Sequence, residues 1–154
     1  MRAALLAIAL SSTATILGCS ESAPVISHLV FGKYVKVTEE KYEIVTTHSF
    51  FAGDAYGWVA MVKPSQGTVK FREVYVFPAP MAHLDKSTAT HKISVSEDGR
   101  KVTVEGEIES GSNVLGNSSW IVEQSDPSGS YTMTLFLNNK EIRRFTYSVN
   151  ATSL

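Results

Sequence analysis

From His28 to Val149 the apolar residues of this chain return at every second position in short runs, and almost nowhere at the three-to-four spacing of a helical stripe. A period of two lays one side of each segment on a core and the other in solvent, so the fold class follows directly. Val, Thr, Ile, Tyr and Phe fill the runs, and Gly, Pro, Asn and Asp punctuate them. The pattern is that of an all-β sandwich or barrel, and a count of about eight strands suits an antiparallel sandwich. With 154 residues, the chain has the length of one domain with a single core.

Phe31 to Thr38 reads as the first strand, and Tyr42 to Phe50 as the second, with Tyr42, Ile44, His48 and Phe50 on its apolar side. Tyr56 to Lys63 is apolar on both sides, which makes it central. In Thr68 to Phe77 the inward set Val69, Phe71, Tyr75 and Phe77 is interrupted at Glu73, so a bulge is expected there. Pro78 and Pro80 end that strand because neither donates to a ladder. Met81 to Ala89 and Ser110 to Ser118 read as loops, and Trp120 to Glu123 as a short strand.

Two hairpins carry a register. If Asp98-Gly99 makes the two-residue type I′ turn that its sequence favours, Val95 faces Val102 and Ile93 faces Val104. Around Asn138-Asn139-Lys140, an odd loop length sets Met133 opposite Phe145 and Tyr131 opposite Tyr147. A two-residue loop would set these apolar residues against threonine or arginine, so the odd length is expected.

The chain has one cysteine, Cys19, which excludes an internal disulfide and leaves the body without thiolate chemistry. Ahead of it stand Met1-Arg2, the apolar run Ala3 to Leu10, and a small polar stretch from Ser11 to Thr15. That order is the architecture of a helical export leader, and it is too short and too interrupted to span a membrane. Ile16-Leu17-Gly18-Cys19 resembles the lipobox of bacterial lipoprotein precursors. The resemblance implies a signal peptide at 1–18, lipid on Cys19, a tether at 19–27 and a sandwich at 28–154. Ser20 after the cysteine resembles the pattern of outer-membrane lipoproteins, which implies an outer-membrane anchor facing the periplasm.

Asp126-Pro127-Ser128-Gly129-Ser130-Tyr131 and the two alternating strands after it resemble the final hairpin of bacterial immunoglobulin-like sandwiches. The body lacks the paired cysteines of antibody domains, so Trp58 has no disulfide to pack on. Loss of Arg2 with the leader leaves 13 basic against 15 acidic side chains, a charge of −2. Such a surface has no basic field for nucleic acid or anionic lipid.

Candidates for chemistry are sparse. His28, His48, His83 and His91 show no local ligand spacing. His83, Asp85 and Ser87 or Ser96 form no nucleophile motif, since no elbow glycines flank either serine. Glu105 and Glu107 share the solvent side of one strand, where calcium or a glycosidic bond could meet a carboxylate pair. Neither a metal nor a cofactor is expected, and no catalytic residue is assigned. Trp58, Tyr56, Tyr75, Tyr147 and Trp120 read mainly as core. The loops at 78–90 and 110–119 are long enough for recognition.

The expected protein is therefore a non-catalytic envelope lipoprotein, held to the membrane by lipid on Cys19 and meeting a protein or cell-wall partner. Two alternatives stay open on the same strands: an inhibitor or immunity protein, and a metal-dependent enzyme or carbohydrate-binding domain.

Overall fold

The computed structural model of the chain describes residues 24–38, 42–63, 68–81, 91–109, 114–116 and 120–151. The leader and Ile16-Leu17-Gly18-Cys19 lie outside the described residues, as does most of the Met81–Ala89 loop.

Among the described residues eleven strands form two sheets packed face to face. The first sheet runs β2 (Tyr42–Thr46), β1 (Ile26–Lys36), β4 (Ala55–Val62) and β8 (Val114–Gly116), with β9 (Trp120–Ile121) also on β4. The second runs β3 (Ser49–Phe51), β11 (Lys140–Asn150), β10 (Gly129–Leu137), β5 (Thr68–Val76), β7 (Lys101–Glu109) and β6 (Lys92–Val95). Neighbours are antiparallel except β3 and β11, which run parallel. β1 begins at Ile26, inside the stretch expected as tether.

The sandwich is as expected, with eleven strands in place of about eight. Val114–Gly116 is hidden in a Ser, Gly and Asn-rich stretch, and only its ladder with Val59 to Met61 makes it a strand. The expected strand from Tyr42 to Phe50 is two strands in different sheets. It breaks at Thr47-His48, where Thr47 Oγ1 accepts the Ser49 N–H at 3.2 Å and the His48 carbonyl accepts the Ser148 N–H at 2.8 Å. His48 is consequently exposed instead of lying on an apolar side.

β4 is central, flanked by β1 on one side and by β8 and β9 on the other. Its inward residues Tyr56, Trp58, Ala60 and Val62 meet Phe71, Tyr75, Val102, Met133 and Leu135 of the second sheet in one core. An aromatic group closes the half near β3. Phe31 stacks on Phe145 at 4.8 Å and meets Phe50 edge-on at 5.8 Å, and Tyr147 contacts both Phe31 and Tyr131. Such pairs add about 0.5–1.5 kcal/mol each beyond the area they bury.

Both hairpins have the expected register and reach it by other turns. Val95 pairs with Val102 and Ile93 with Val104, yet the loop is wider than two residues. The Gly99 N–H bonds to the Ser96 carbonyl at 2.9 Å, and of the turn residues only Gly99 (φ +67°) is left-handed. A type I′ turn needs positive φ at both central residues. Asp98 is held out of that geometry by its carboxylate, which accepts Ser96 Oγ at 2.6 Å and the Arg100 N–H at 3.1 Å.

In the last hairpin, Met133 pairs with Phe145 and Tyr131 with Tyr147, but the turn is the two-residue Asn138-Asn139, with φ of 47° and 63°. The odd residue is a bulge: Leu135 pairs with Arg143 and Phe136 with Glu141, leaving Ile142 extra. At the start of β10 the Tyr131 hydroxyl donates to the Pro127 carbonyl at 2.6 Å. This is the tyrosine corner of immunoglobulin-like sandwiches, which pins the crossing between the sheets.

Candidate functional site

The strand expected to bulge does not. β5 keeps continuous register with β7 from Thr68↔Glu109 to Val76↔Lys101, and with β10 from Phe71 to Val76. Glu73 simply takes the inward place between Phe71 and Tyr75, and it is 0% exposed. A carboxylate sealed in a core must be hydrogen-bonded. Here Trp58 Nε1 of the first sheet donates to Oε1 at 2.5 Å, and the Tyr75 hydroxyl donates to Oε2 at 2.9 Å.

The phenols of this region hold their protons tightly. Burial, then the charge of Glu73, pushes the Tyr75 hydroxyl well above the usual tyrosine range. Burial does the same for Tyr147, which meets the Tyr56 hydroxyl at 3.4 Å. Tyr34 is raised by burial first and by Glu73 second. The neutral Tyr75 phenol and the Trp58 indole therefore serve as fixed donors to an enclosed acceptor. With Glu73 fully covered, the cluster joins the two sheets and presents no acid or base to a solute.

The other candidates are dispersed. His28 lies on the outer side of β1 and His48 between β2 and β3, both exposed. His91 packs edge-on against Phe71 at 5.0 Å, in room left by Gly106, where a Cβ would stand 2.6 Å from His91 Nδ1. His83, Asp85 and Ser87 lie outside the described residues. Ser96 is a turn residue, bonded to Asp98 and Lys101. Among the described residues no three His, Cys, Asp or Glu side chains gather as a metal site.

Of the aromatic residues, Trp58, Tyr56, Tyr75 and Tyr147 are buried, and Trp120 is half-buried against Tyr75 at 5.5 Å. The two loops expected for recognition leave from opposite ends of the sandwich. Pro78 follows the end of β5, whereas Ser110 follows Glu109, which pairs with the start of β5.

The outer surfaces of the two sheets differ in character. On the second sheet, Glu141, Phe136, Arg72, Glu105 and Lys92 form one cross-strand row. The Arg72 guanidinium lies 4.2 Å over the Phe136 ring, and Lys92 Nζ is 3.2 Å from Glu105. Glu105 and Glu107 thus face Arg72 and Lys70 across the ladder instead of forming an isolated carboxylate pair. These four side chains and Asn139 line a shallow depression of about 220 Å3. The outer side of the first sheet is apolar by contrast, with Val30, Tyr34, Ile44, Val59, Met61 and Val114 on it and the Tyr34 ring lying over Gly57. Among the described residues no helix is long and apolar enough to cross a membrane.

Solved structures were compared with this architecture. An immunoglobulin-like protein of Pseudomonas aeruginosa superimposes with a TM-score of 0.52 at 12% identity, over 86% of this chain and 100% of that one. A Bacillus anthracis protein provisionally named a lipoprotein gives a TM-score of 0.36 at 14% identity, over 79% of this chain and 85% of the other. None of the curated proteins matches the sequence. The model of the PM0630 beta sandwich domain matches residues 29–150, from within β1 to the end of β11, and the chain belongs to that family.

Proposed function

We propose that this chain is an envelope lipoprotein, anchored by lipid on Cys19, whose immunoglobulin-like sandwich binds a protein or cell-wall partner without turning it over. The observation that carries the reading is the place of the one cysteine. It closes a leader-like stretch and precedes the first strand, at Ile26, by seven residues. The interior supports it as well, since the groups with unusual chemistry, Glu73 and the tyrosines around it, are turned inward and spent on joining the sheets. The outer membrane facing the periplasm is the location that Ser20 favours.

Membrane fractionation of Cys19→Ala tests the anchor. The variant is expected in the soluble fraction or as uncleaved precursor, and a fatty-acid probe is expected to mark only the wild type. Normal processing with unchanged membrane retention in the variant would sink the reading. Crosslinking in the native host, followed by recovery of the anchored protein, identifies the partner. One tight protein partner would favour an inhibitor or immunity role over a structural one.

A further inference from the structure

We infer that the end of the sandwich where β1 begins rests on the lipid surface, with Met61 and Val114 against the headgroups and the opposite end presented to partners. The inference rests on the anchor at Cys19 proposed above. It adds a second contact, between the folded domain and the bilayer.

Reach sets the first constraint. From Cys19 to Ile26 the chain advances seven residues, at most about 25 Å when fully extended. β1 is 11 residues, about 36 Å of strand. The tether is shorter than the domain, so the start of β1 stays near the bilayer whatever path the tether takes.

The side chains at that end suit such a neighbour. Met61 pairs with Val114 and with His28, which makes one row across the outer side of β8, β4 and β1. Met61 is 49% exposed and Val114 48%, and Val25 beside them is 59% exposed. The Lys63 N–H bonds to the Val25 carbonyl, which puts a cation at the same rim. Lysine fits an interface with its stem on apolar groups and its ammonium among phosphates.

Charge separates the two ends. The connections leaving from the β1 start are Pro-Ser-Gln-Gly at 64–67, Ser-Gly-Ser-Asn at 110–113 and Asn138-Asn139, without a single charged residue in the sequence. At the far end the described turns carry Glu97, Asp98, Glu123 and Asp126 against Arg100, while Asp54 there is buried and paired with Lys33. An anionic leaflet repels that end and tolerates the other. Ile121, at the far end on the outer side of the same sheet, is 62% exposed, so apolar exposure alone does not mark the membrane side.

The test uses the full chain, lipidated, purified and reconstituted into phosphatidylethanolamine and phosphatidylglycerol vesicles. The body has no cysteine and the Cys19 sulfur is occupied by lipid, so Met61→Cys, Val114→Cys and Ile121→Cys each accept a single environment-sensitive fluorophore. Positions 61 and 114 are expected to shift to the blue, lose quenching by aqueous iodide and gain quenching by nitroxide lipids. Position 121 is expected to do none of these. Vesicle-bound protein in which 61 and 114 stay as open to iodide as 121 would overturn the inference and leave the anchor standing. Protein that fails to float with vesicles, with Cys19 itself open to the dye, would overturn both.

Discussion

Trp58 and Glu73 stand in opposite sheets, 15 residues apart in the chain, and share a hydrogen bond of 2.5 Å through the middle of the sandwich. The donor belongs to the central strand of one sheet and the acceptor to β5 of the other. A buried carboxylate in this place aligns the sheets in a way that shape alone does not, because its oxygens accept only from fixed directions. Glu73→Leu removes the acceptor and strands the Trp58 N–H and the Tyr75 hydroxyl, a loss of about 2–4 kcal/mol. Glu73→Gln keeps an acceptor and should lose about half as much. Urea unfolding of both variants measures the difference. A leucine variant as stable as the wild type would mean that the two donors find other partners.

Tyr131→Phe deletes one hydroxyl and nothing else. Its hydrogen bond to the Pro127 carbonyl fixes the corner from which β10 starts, and a loss of about 1 kcal/mol is expected. The urea midpoint should fall with the slope unchanged. An unchanged midpoint would show the corner to be held by the packing of Phe77 and Tyr147 on the ring.

The β10–β11 turn is built of two asparagines in left-handed geometry. Glycine adopts that geometry without the Cβ penalty, so Asn139→Gly should stabilise by roughly 0.5–1 kcal/mol. Asn139→Ala should cost about 1 kcal/mol, since alanine has the penalty and lacks the amide that favours the region. Thermal unfolding of the pair reads both signs at once.

Two aspartates make opposite predictions with pH. Burial above all, helped by the charge of Glu123 and opposed by the bond from the Glu123 N–H, raises the Asp126 carboxyl. Its proton is held more tightly folded than unfolded, so its stabilising contribution is full below the ordinary aspartate range and is lost as pH rises through the folded value. Asp126→Asn, which retains an acceptor for that N–H, should therefore stabilise at neutral pH and give no advantage in acid. Asp98 is lowered, chiefly by the Ser96 hydroxyl and then by the Arg100 N–H. Its contribution is present at neutral pH and disappears as pH falls through the folded value, so Asp98→Asn should be felt at neutral pH alone. Unfolding midpoints across the acid range, compared for the two variants, check the crossing.

The sheet pairings were legible because alternation in Ile93, Val95, Val102 and Val104, and in Tyr131, Met133, Phe145 and Tyr147, admits one register when one side is buried. The turns were less legible. Asp-Gly and Asn-Asn are both turn sequences, and what decides between them lies outside the dipeptide: a serine that captures Asp98, and a bulge at Ile142 that restores parity. Glu73 misled for a related reason. Its neighbours Val69, Phe71, Tyr75 and Phe77 kept perfect period, but a carboxylate inside is credible only when its donors are known, and Trp58 and Tyr75 become its donors through tertiary contact. The unbroken period by itself places Glu73 inside. β8 and β9 were hidden because strands of three and two residues owe their existence to β4.

β3 is only three residues long, yet it lies parallel to the last strand, and Ser49 Oγ meets Ser148 Oγ at 3.1 Å across 99 residues of sequence. β3 is thus latched by β11. Closing so long a loop precedes any gain from the contact, which slows folding. A chain synthesised or threaded from its N-terminus must wait, with β3 unpaired, until β11 has arrived. Loss of Ser148 to Asn150 would therefore be felt at Ser49 to Phe51, in the strand that leads into β4.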